Sequence, residues 1–517
     1  MAGMPTAPID RLRSDLNDAG FTVAHLDGLW SDDAAEALRR GHANAARRAL
    51  ARLERSPRTT LAALFLLGDA VPAADAAAAL PALGLDGAEE LGLLRRDAEL
   101  VAPALDLQPY AFRDRHGEGH WWLLSDLGER MRGGALPEDH VLGIGGASLT
   151  LSGLIPPARP DGARFTAALD LGTGSGIQAL HAARHADRVV ATDISRRALR
   201  LAELNARLNE VTTIEFRHGD LLEPVAGERF DLVVSNPPFV ITPRVAGVPA
   251  YEYRDGGRVG DGLVEEVVRG IADVLAPGGV AQLLGNWEHR WGADGLERAA
   301  GWAREAGLGH WIVERERQDP ASYAETWIRD GGTRPGSAEF DGLLDAWLDD
   351  FEARGVLGVG FGYVLLTADP ALERTERLTA SLGDNPAGLG EHLHARLAAR
   401  ATIAGLDDAA LLRIRFARAV DVTEERHYWP GESDPTVLLL RQGGGFARSI
   451  EAGTGLAALV GASDGELSLG QLAAAIAALL EVEPAALAAE LAEQVRDLVT
   501  LGFLDPLADA DPVEERA

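Results

Sequence analysis

The sequence predicts an α/β fold: a doubly wound parallel sheet in the middle of the chain, a mainly helical, winged-helix-like domain before it and a small α+β domain after it. Three observations lead there. From Ala167 onward, short apolar, β-branched runs alternate with helix-patterned segments. The first run ends in the glycine-rich turn DLGTGSG, Asp170–Gly176, which opens a helix. Outside that region the alternation stops, and helical periodicity with only a few strand-like pieces takes over.

At 517 residues the chain is too long for one ordinary core. The expected division is 1–135, 136–370 and 371–517. The net charge is −30 and all 49 basic residues are arginine, because the chain contains no lysine. Such acidity argues against a general nucleic-acid coat protein, which needs a positive footprint, but leaves room for a local basic patch. With no cysteine, disulfides, thiolate metal sites and cysteine nucleophiles are excluded. The N-terminal MAGMPTAPIDRLRSDL lacks a signal-peptide core, and the apolar runs are interrupted too soon to span a bilayer, so a cytoplasmic protein is expected.

The N-terminal region reads as helices followed by LGLLRRDAELVAPALDLQPYAF and HWWLLSDLG, which look like strands. Arg39, Arg40, Arg47, Arg48, Arg52, Arg55 and Arg58 fall within one helix-patterned stretch; at helical spacing several of them share a face, either solvated or facing RNA. HVLGIGGASLTLSGLIP then forms a glycine-rich approach. The core strands are expected at AALDLG, RVVATDIS, IEFRHGD, FDLVVSN, GGVAQLLGNW, HWIVERER and GVGFGYVLLTA, with helices between the first five. An insertion of helical character, Gln318 to Arg354, separates the last two and is read as a lid or as plain decoration. Beyond residue 370, LLRIRFARAVDVTEE, TVLLLRQ and GFARSIE read as strands, and residues 467–507 as helix, turn, helix and a closing strand, a small α+β, winged-helix-like module.

Chemistry concentrates at the ends of the first four core strands. Gly172, Gly174 and Gly176, with Thr173 between them, let the backbone pass close to a ligand. Asp193, followed by Ile194, ends the second strand where a carboxylate takes ribose hydroxyls. Asp220 and Leu221 end the third, a polar and apolar pair suited to an adenine ring. Each aspartate alone is equally a helix cap or a turn residue; the three features in strand order are what carry weight. The chain has no G-x-x-x-x-G-K-[ST], and its glycine spacing is not G-x-G-x-x-G. A cofactor with adenosine and no pyrophosphate fits best, which is S-adenosyl-L-methionine.

The fourth strand runs into SNPPF. The side-chain oxygen of Asn236 and the carbonyl of Pro237 are placed to accept both hydrogens of a planar –NH2. That draws its lone pair out of conjugation, while Pro238 stiffens the turn and Phe239 stacks on the flat group. The alternative is a Pro-Pro strand stop with a core phenylalanine.

Residues 168 to 290, through DLGTGSG, TDIS…ALRLAELNARLN, GDLLEP and NPPF, resemble class I S-adenosylmethionine-dependent methyltransferases of the "methyltransferase small domain" group. That group includes ribosomal-RNA guanine-N2 and adenine-N6 enzymes and the glutamine-N5 methyltransferases of release factors. The resemblance implies a Rossmann-like core in which Asp170, Gly172, Gly174, Asp193 and Asp220 line the cofactor, and Asn236, Pro237, Pro238 and Phe239 the acceptor. The glutamine enzymes usually carry Tyr where this chain has Phe239, which favours RNA. YRDGGRVGDGLVEE instead resembles the Gly-Gly-x-x-Gly-Leu segment of the glutamine enzymes, and Tyr251, Tyr253 and Arg254 within it stack on a base or form an exposed loop. The expected activity is N-methylation of a conjugated amino group, first of a nucleobase in ribosomal or transfer RNA, second of a glutamine amide in a translation-factor protein, third of a small-molecule amine. The rival of another class is a winged-helix regulator with a non-catalytic cofactor-binding core.

Overall fold

The computed structural model describes residues 7–132, 136–245, 248 and 254–507. The chain forms two compact units, Met1–Ser152 with Phe165–Arg377 and Gly153–Arg164 with Leu378–Ala517.

In the first unit the core is one eight-stranded sheet. Its strands are β1 (Phe165–Leu171), β2 (Ala186–Asp193), β3 (Ile214–His218), β4 (Phe230–Ser235), β5 (Leu275–Arg290), β6 (Gly309–Gln318), β7 (Val356–Thr367) and β8 (Glu373–Arg377). They lie in the order 3-2-1-4-5-7-6-8. Neighbours from β3 to β5 are parallel, whereas β7 runs antiparallel to both β5 and β6. The seven expected strands all form. β8, sequence ERTER, was not expected: it is a polar edge strand without apolar alternation. Between β3 and β4 stands only the 3-10 turn Glu223–Val225, where a helix is expected, because Pro224 and the Gly227 turn leave too few residues.

Helices α1 (Ile177–His185), α2 (Arg196–Leu208), α3 (Gly262–Val274) and α4 (Gly295–Glu305) connect the strands. The six residues of β4 are all buried, which is why FDLVVS reads as an unbroken apolar run. Burial of Val233 and Val234 from β4 with Val267, Val268 and Ile271 from α3 contributes about 1.5–3 kcal/mol per side chain. The strand order reverses between β1 and β4, and the crevice at such a switch point, at the strands' C-terminal ends, is where a doubly wound sheet binds ligands.

Ahead of this sheet, a helix from Pro57 leads to the short strand Val71–Pro72, helices Ala73–Ala79 and Gly84–Glu90, and the hairpin Leu94–Asp97/Leu100–Pro103. The three strands pair into one sheet, where the sequence led to helices followed by one small hairpin; the piece 91–112, read as strand-like, divides between this hairpin and the next. A second hairpin, Asp106–Asp114/Gly117–Ser125, packs on the core, its Tyr110 hydroxyl 3.0 Å from His181 Nε2 of α1. The arginine-rich stretch is not one helix. It breaks into Asp32–Arg39, Asn44–Leu50 and Pro57–Leu61, so its arginines do not share a continuous face. Arg39 and Arg40 pair with Glu36, Arg47 with Asp69 and Arg55 with Asp75, while Arg58 donates to the Ala19 carbonyl. Asp69 and Asp75, distant in sequence and invisible to a local charge count, take two of the seven arginines.

The second unit is α+β. Arg415–Arg418 pairs with both Asp464–Ser468 and Leu504–Leu507, and Val422–His427, Val437–Gln442 and Ser449–Glu451 form a second sheet. The stretch expected as one strand, LLRIRFARAVDVTEE, thus divides between two sheets. Helix Leu469–Leu480 starts at a Ser468/Gln471 capping box, and Leu491, Val495 and Leu498 of the next helix complete the core.

Candidate active site

A cavity of 390 Å³ opens at the switch point, within the range of about 300–1,000 Å³ typical of small-molecule sites. Its walls come from the ends of β1 to β4. Gly172, Thr173 and Gly174 follow β1, Asp193 and Ile194 end β2, Asp220 and Leu221 follow β3, and Asn236, Pro237 and Pro238 follow β4. Ten of the residues proposed from sequence therefore meet in one place.

Three others do not line it. Asp170 is fully buried beneath the turn and accepts from the Thr173 hydroxyl at 2.6 Å. Burial pushes its carboxyl up to about 7 against that bond and one from the Ala179 amide. It shapes the turn from behind. Gly176 sits at φ +88° as the N-cap of α1, and a Cβ there would fall 2.9 Å from the Ala202 Cβ. Its glycine is required for packing of α1 on α2. Phe239 bridges backbone to backbone with Asp255, and its ring meets Phe361 edge-on at 6.5 Å. It belongs to the core edge, because the chain turns away from the cavity after Pro238.

Gly174, by contrast, has φ +54° and open space where a Cβ would stand, so the turn keeps its room for a ligand. Its amide donates to Asp193 Oδ2 at 2.9 Å, and the Ser195 amide to Oδ1 at 2.8 Å. Burial raises the Asp193 carboxyl despite these bonds. Leu221 adopts φ +42°, a left-handed conformation unfavourable to a branched side chain, at the cavity wall. Ile194 is exposed and offers an apolar surface beside Asp193. Asn236 Oδ1 is buried and has no hydrogen-bond partner in the protein. An unsatisfied buried acceptor costs about 1–3 kcal/mol, so a ligand N–H here recovers that loss.

Sequence reasoning missed several walls. His140, Val141, Leu142, Gly143 and Ser148 of the glycine-rich approach line the cavity, as do Gln178, Ser195 and the loop Asp255–Arg258. Asp126, paired with Arg197 of α2, accepts the Val141 amide at 2.9 Å and fixes the approach. Asn205 of α2 donates to the Ser175 and Leu124 carbonyls and so ties the glycine turn to the N-terminal hairpin. Its position in ALRLAELNARLN, on the buried helix face, was the available signal. Tyr251 and Tyr253 lie outside the described residues. Arg254 is neither exposed nor free to stack on a base: it is buried, donating to the Trp327 carbonyl at 2.9 Å and Asp330 at 3.1 Å. Among the described residues no group of three or more His, Asp or Glu is arranged to hold a metal, and no helix is long and apolar enough to cross a membrane.

Comparison with known proteins follows this geometry. Residues 154–290 match the methyltransferase small domain family, and residues 18–104 match a domain of unknown function, DUF7059. The release factor glutamine methyltransferase of Moorella thermoacetica is 38% identical over 141 residues, 26% of this chain and 50% of that protein. The ribosomal protein uL3 glutamine methyltransferase of Bradyrhizobium diazoefficiens is 38% identical over 123 residues, 22% and 38% of the two chains. The chain thus spans about half the length, or less, of these relatives. Among solved structures, a 16S rRNA N2 methyltransferase of T. thermophilus is 23% identical with a TM-score of 0.24, covering 37% of this chain and 48% of that one. The segment that carries the glycine turn, Asp193, Asp220 and the NPPF motif is the one that matches the methyltransferase small domain family.

Proposed function

We propose that the chain is an S-adenosylmethionine-dependent N-methyltransferase whose acceptor is the side-chain amide of a protein glutamine. The observation that carries this reading is Asn236 Oδ1, a buried acceptor without a partner on the wall of the cavity that the Gly172–Gly174 turn also lines, from the strand end beside it. The residues suit the cofactor: the glycine turn leaves open space, and of the residues lining the cavity Asp193 would accept the ribose hydroxyls and Ile194 and Leu221 would give apolar faces for adenine. Bound there, the cofactor supplies an electrophilic sulfonium methyl. The protein's part is orientation. Asn236 Oδ1 and the Pro237 carbonyl each accept one N–H of the acceptor amide, which localises the nitrogen lone pair and aims it along the cavity. The nitrogen gains one methyl and releases one proton, which becomes acidic as the new bond forms, so no strong base is needed.

From the sequence alone a nucleobase ranks first. Two observations support reversing that order: the matched relatives are named for glutamine, and the arginine series that favoured RNA is broken across three helices, with Arg39, Arg40, Arg47 and Arg55 paired to acids. The test is transfer of labelled methyl from the cofactor to fractionated extract. Label should be lost on protease treatment and survive RNase, and amino-acid analysis should yield N5-methylglutamine. Asn236→Ala should abolish transfer while cofactor binding stays within about threefold. Label released by RNase instead would overturn the assignment of the acceptor.

A further inference from the structure

The insertion between β6 and β7 consists of α5 (Pro320–Asp330) and α6 (Ala338–Ala353), which pack against each other. Its apolar face is not turned to solvent. Tyr323, Ala324, Ile328, Phe340, Trp347 and Phe351 form one buried cluster with Val240 and Ile241, the residues that directly follow the NPPF motif.

Polar contacts converge on the same backbone. The fully buried Tyr323 hydroxyl accepts the Ile241 amide at 2.9 Å and Asn286 Nδ2 at 3.2 Å. Asn286, on β5, also donates to the Phe239 carbonyl at 2.7 Å. The Val240 amide bonds to the Arg254 carbonyl at 2.8 Å. The Arg254 side chain is in turn held by the Trp327 carbonyl and Asp330, both on α5. At the other end, Arg354 pairs with the buried Glu288, which also binds Arg290 at 2.7 Å, and Arg290 reaches Asp261 at 3.3 Å. The loop that supplies Asp255–Arg258 to the cavity is thus tied to the insertion at both ends.

We infer that the 318–354 insertion is a brace for the acceptor side of the site, with Tyr323 as a positioning residue that sets the NPPF backbone and the Asp255–Arg258 loop relative to each other. This rests on the methyltransferase reading above. A gating lid would have to leave the cavity's edge to admit substrate. Leaving would expose Trp347 and Phe351 and strip the Ile241 amide of its acceptor, so the insertion works in place. Tyr323 touches neither the cavity nor the reacting atoms. Its effect passes through the backbone at Phe239 and Ile241, immediately after the two prolines, where a displacement of an ångström costs up to about a hundredfold in rate.

The experiment compares the full-length protein with Tyr323→Phe and Asp330→Asn. The first keeps the ring and its packing and removes one hydroxyl; the second loosens Arg254 from a half-exposed position with little risk to folding. Both should lower kcat for methyl transfer, Tyr323→Phe by about tenfold or more, with S-adenosylmethionine affinity within about twofold of wild type. Hydrogen exchange at the Ile241 amide should accelerate in Tyr323→Phe. A loss of thermal stability with kcat intact, or a fall in kcat matched by an equal loss of cofactor affinity, would overturn the inference. If the wild-type protein transfers no methyl group, the functional reading fails. The brace is then judged by exchange alone: unchanged protection of Ile241 in Tyr323→Phe refutes it, and accelerated exchange supports it.

Discussion

Two glycines in one turn should respond to the same substitution in opposite ways. Gly174 and Gly176 both have positive φ, so alanine at either position adopts a left-handed backbone at a cost of about 1–2 kcal/mol. Beyond that they differ. At Gly176 the new methyl lands 2.9 Å from the Ala202 Cβ and 3.1 Å from its Cα, on a helix backbone that cannot swing aside. Overpacking of this kind adds about 1–3 kcal/mol. At Gly174 no protein atom lies within 4 Å of the new Cβ, and the methyl projects into open space at the cavity wall. Gly176→Ala should therefore be less stable than Gly174→Ala by about 1–3 kcal/mol. That difference is free of the unfolded-chain entropy, which the two variants share, and the larger φ at Gly176, +88° against +54°, adds to it in the same direction. Cofactor affinity should order them the other way. Calorimetric titration with S-adenosylhomocysteine should show a loss of about tenfold or more for Gly174→Ala, equivalent to about 1.4 kcal/mol, and a smaller change for folded Gly176→Ala. Urea unfolding followed by tryptophan fluorescence gives the stabilities. Equal destabilisation of the two variants, or wild-type affinity in Gly174→Ala, would refute the reasoning.

Other consequences can be measured directly. Burial raises the Asp170 carboxyl to about 7, so the native state holds a proton there that the unfolded chain releases near 3.8. Its contribution to stability is present at low pH and is lost as pH rises towards 7; Asp170→Asn should flatten that part of the stability profile measured by chemical denaturation. Glu314 behaves in the opposite sense. Burial acts to raise its carboxyl, but bonds from His289, the Trp287 indole and Arg377 overcome this and bring it down to about 2. Its contribution is present above about pH 4.5 and is lost as pH falls towards 2, and Glu314→Gln should remove that acid-side slope while destabilising the protein at pH 7. Asn205→Leu keeps approximate volume but leaves the Ser175 and Leu124 carbonyls and the Leu124 amide without side-chain partners. It should cost about 1–3 kcal/mol in thermal or urea unfolding.

The centre of the sheet was legible because β4 and most of β1, β2 and β5 are buried on both faces and therefore nearly continuous in apolar residues, and because glycine, aspartate and proline mark the C-terminal ends of the first four strands. Ten site residues could be named for the same reason: a strand end in a doubly wound sheet has a defined place relative to the crevice. What stayed hidden depends on pairing across sequence distance. That Phe239 turns outward follows from its bridge to Asp255 and from the Asn286 bond to its carbonyl, both distant in sequence. Gly176 reads as a ligand glycine until Ala202, on the next helix, is seen against it. The arginine face dissolved because Asp69 and Asp75 lie beyond any local window. The insertion's role was unreadable since its helices look amphipathic whether they cover a ligand or a neighbouring loop.

The short segment Gly153–Arg164 precedes β1 in the chain yet belongs to the unit formed by Leu378–Ala517. Its Leu154 and Ile155 are buried, and the amide of Gly390 bonds to the Gly153 carbonyl at 2.8 Å. During synthesis this segment emerges before the whole of the central sheet but meets the Gly390 backbone only after that sheet has been made. Until then the segment lacks the partners it has in the folded unit, a long-range closure of the kind that slows folding. A chain stopped at Arg377 would complete the sheet and its cavity and still carry that segment without those partners, so it should aggregate unless residues 153–164 are made polar. The order of translation, as well as the final packing, thus sets what part of this protein can exist alone.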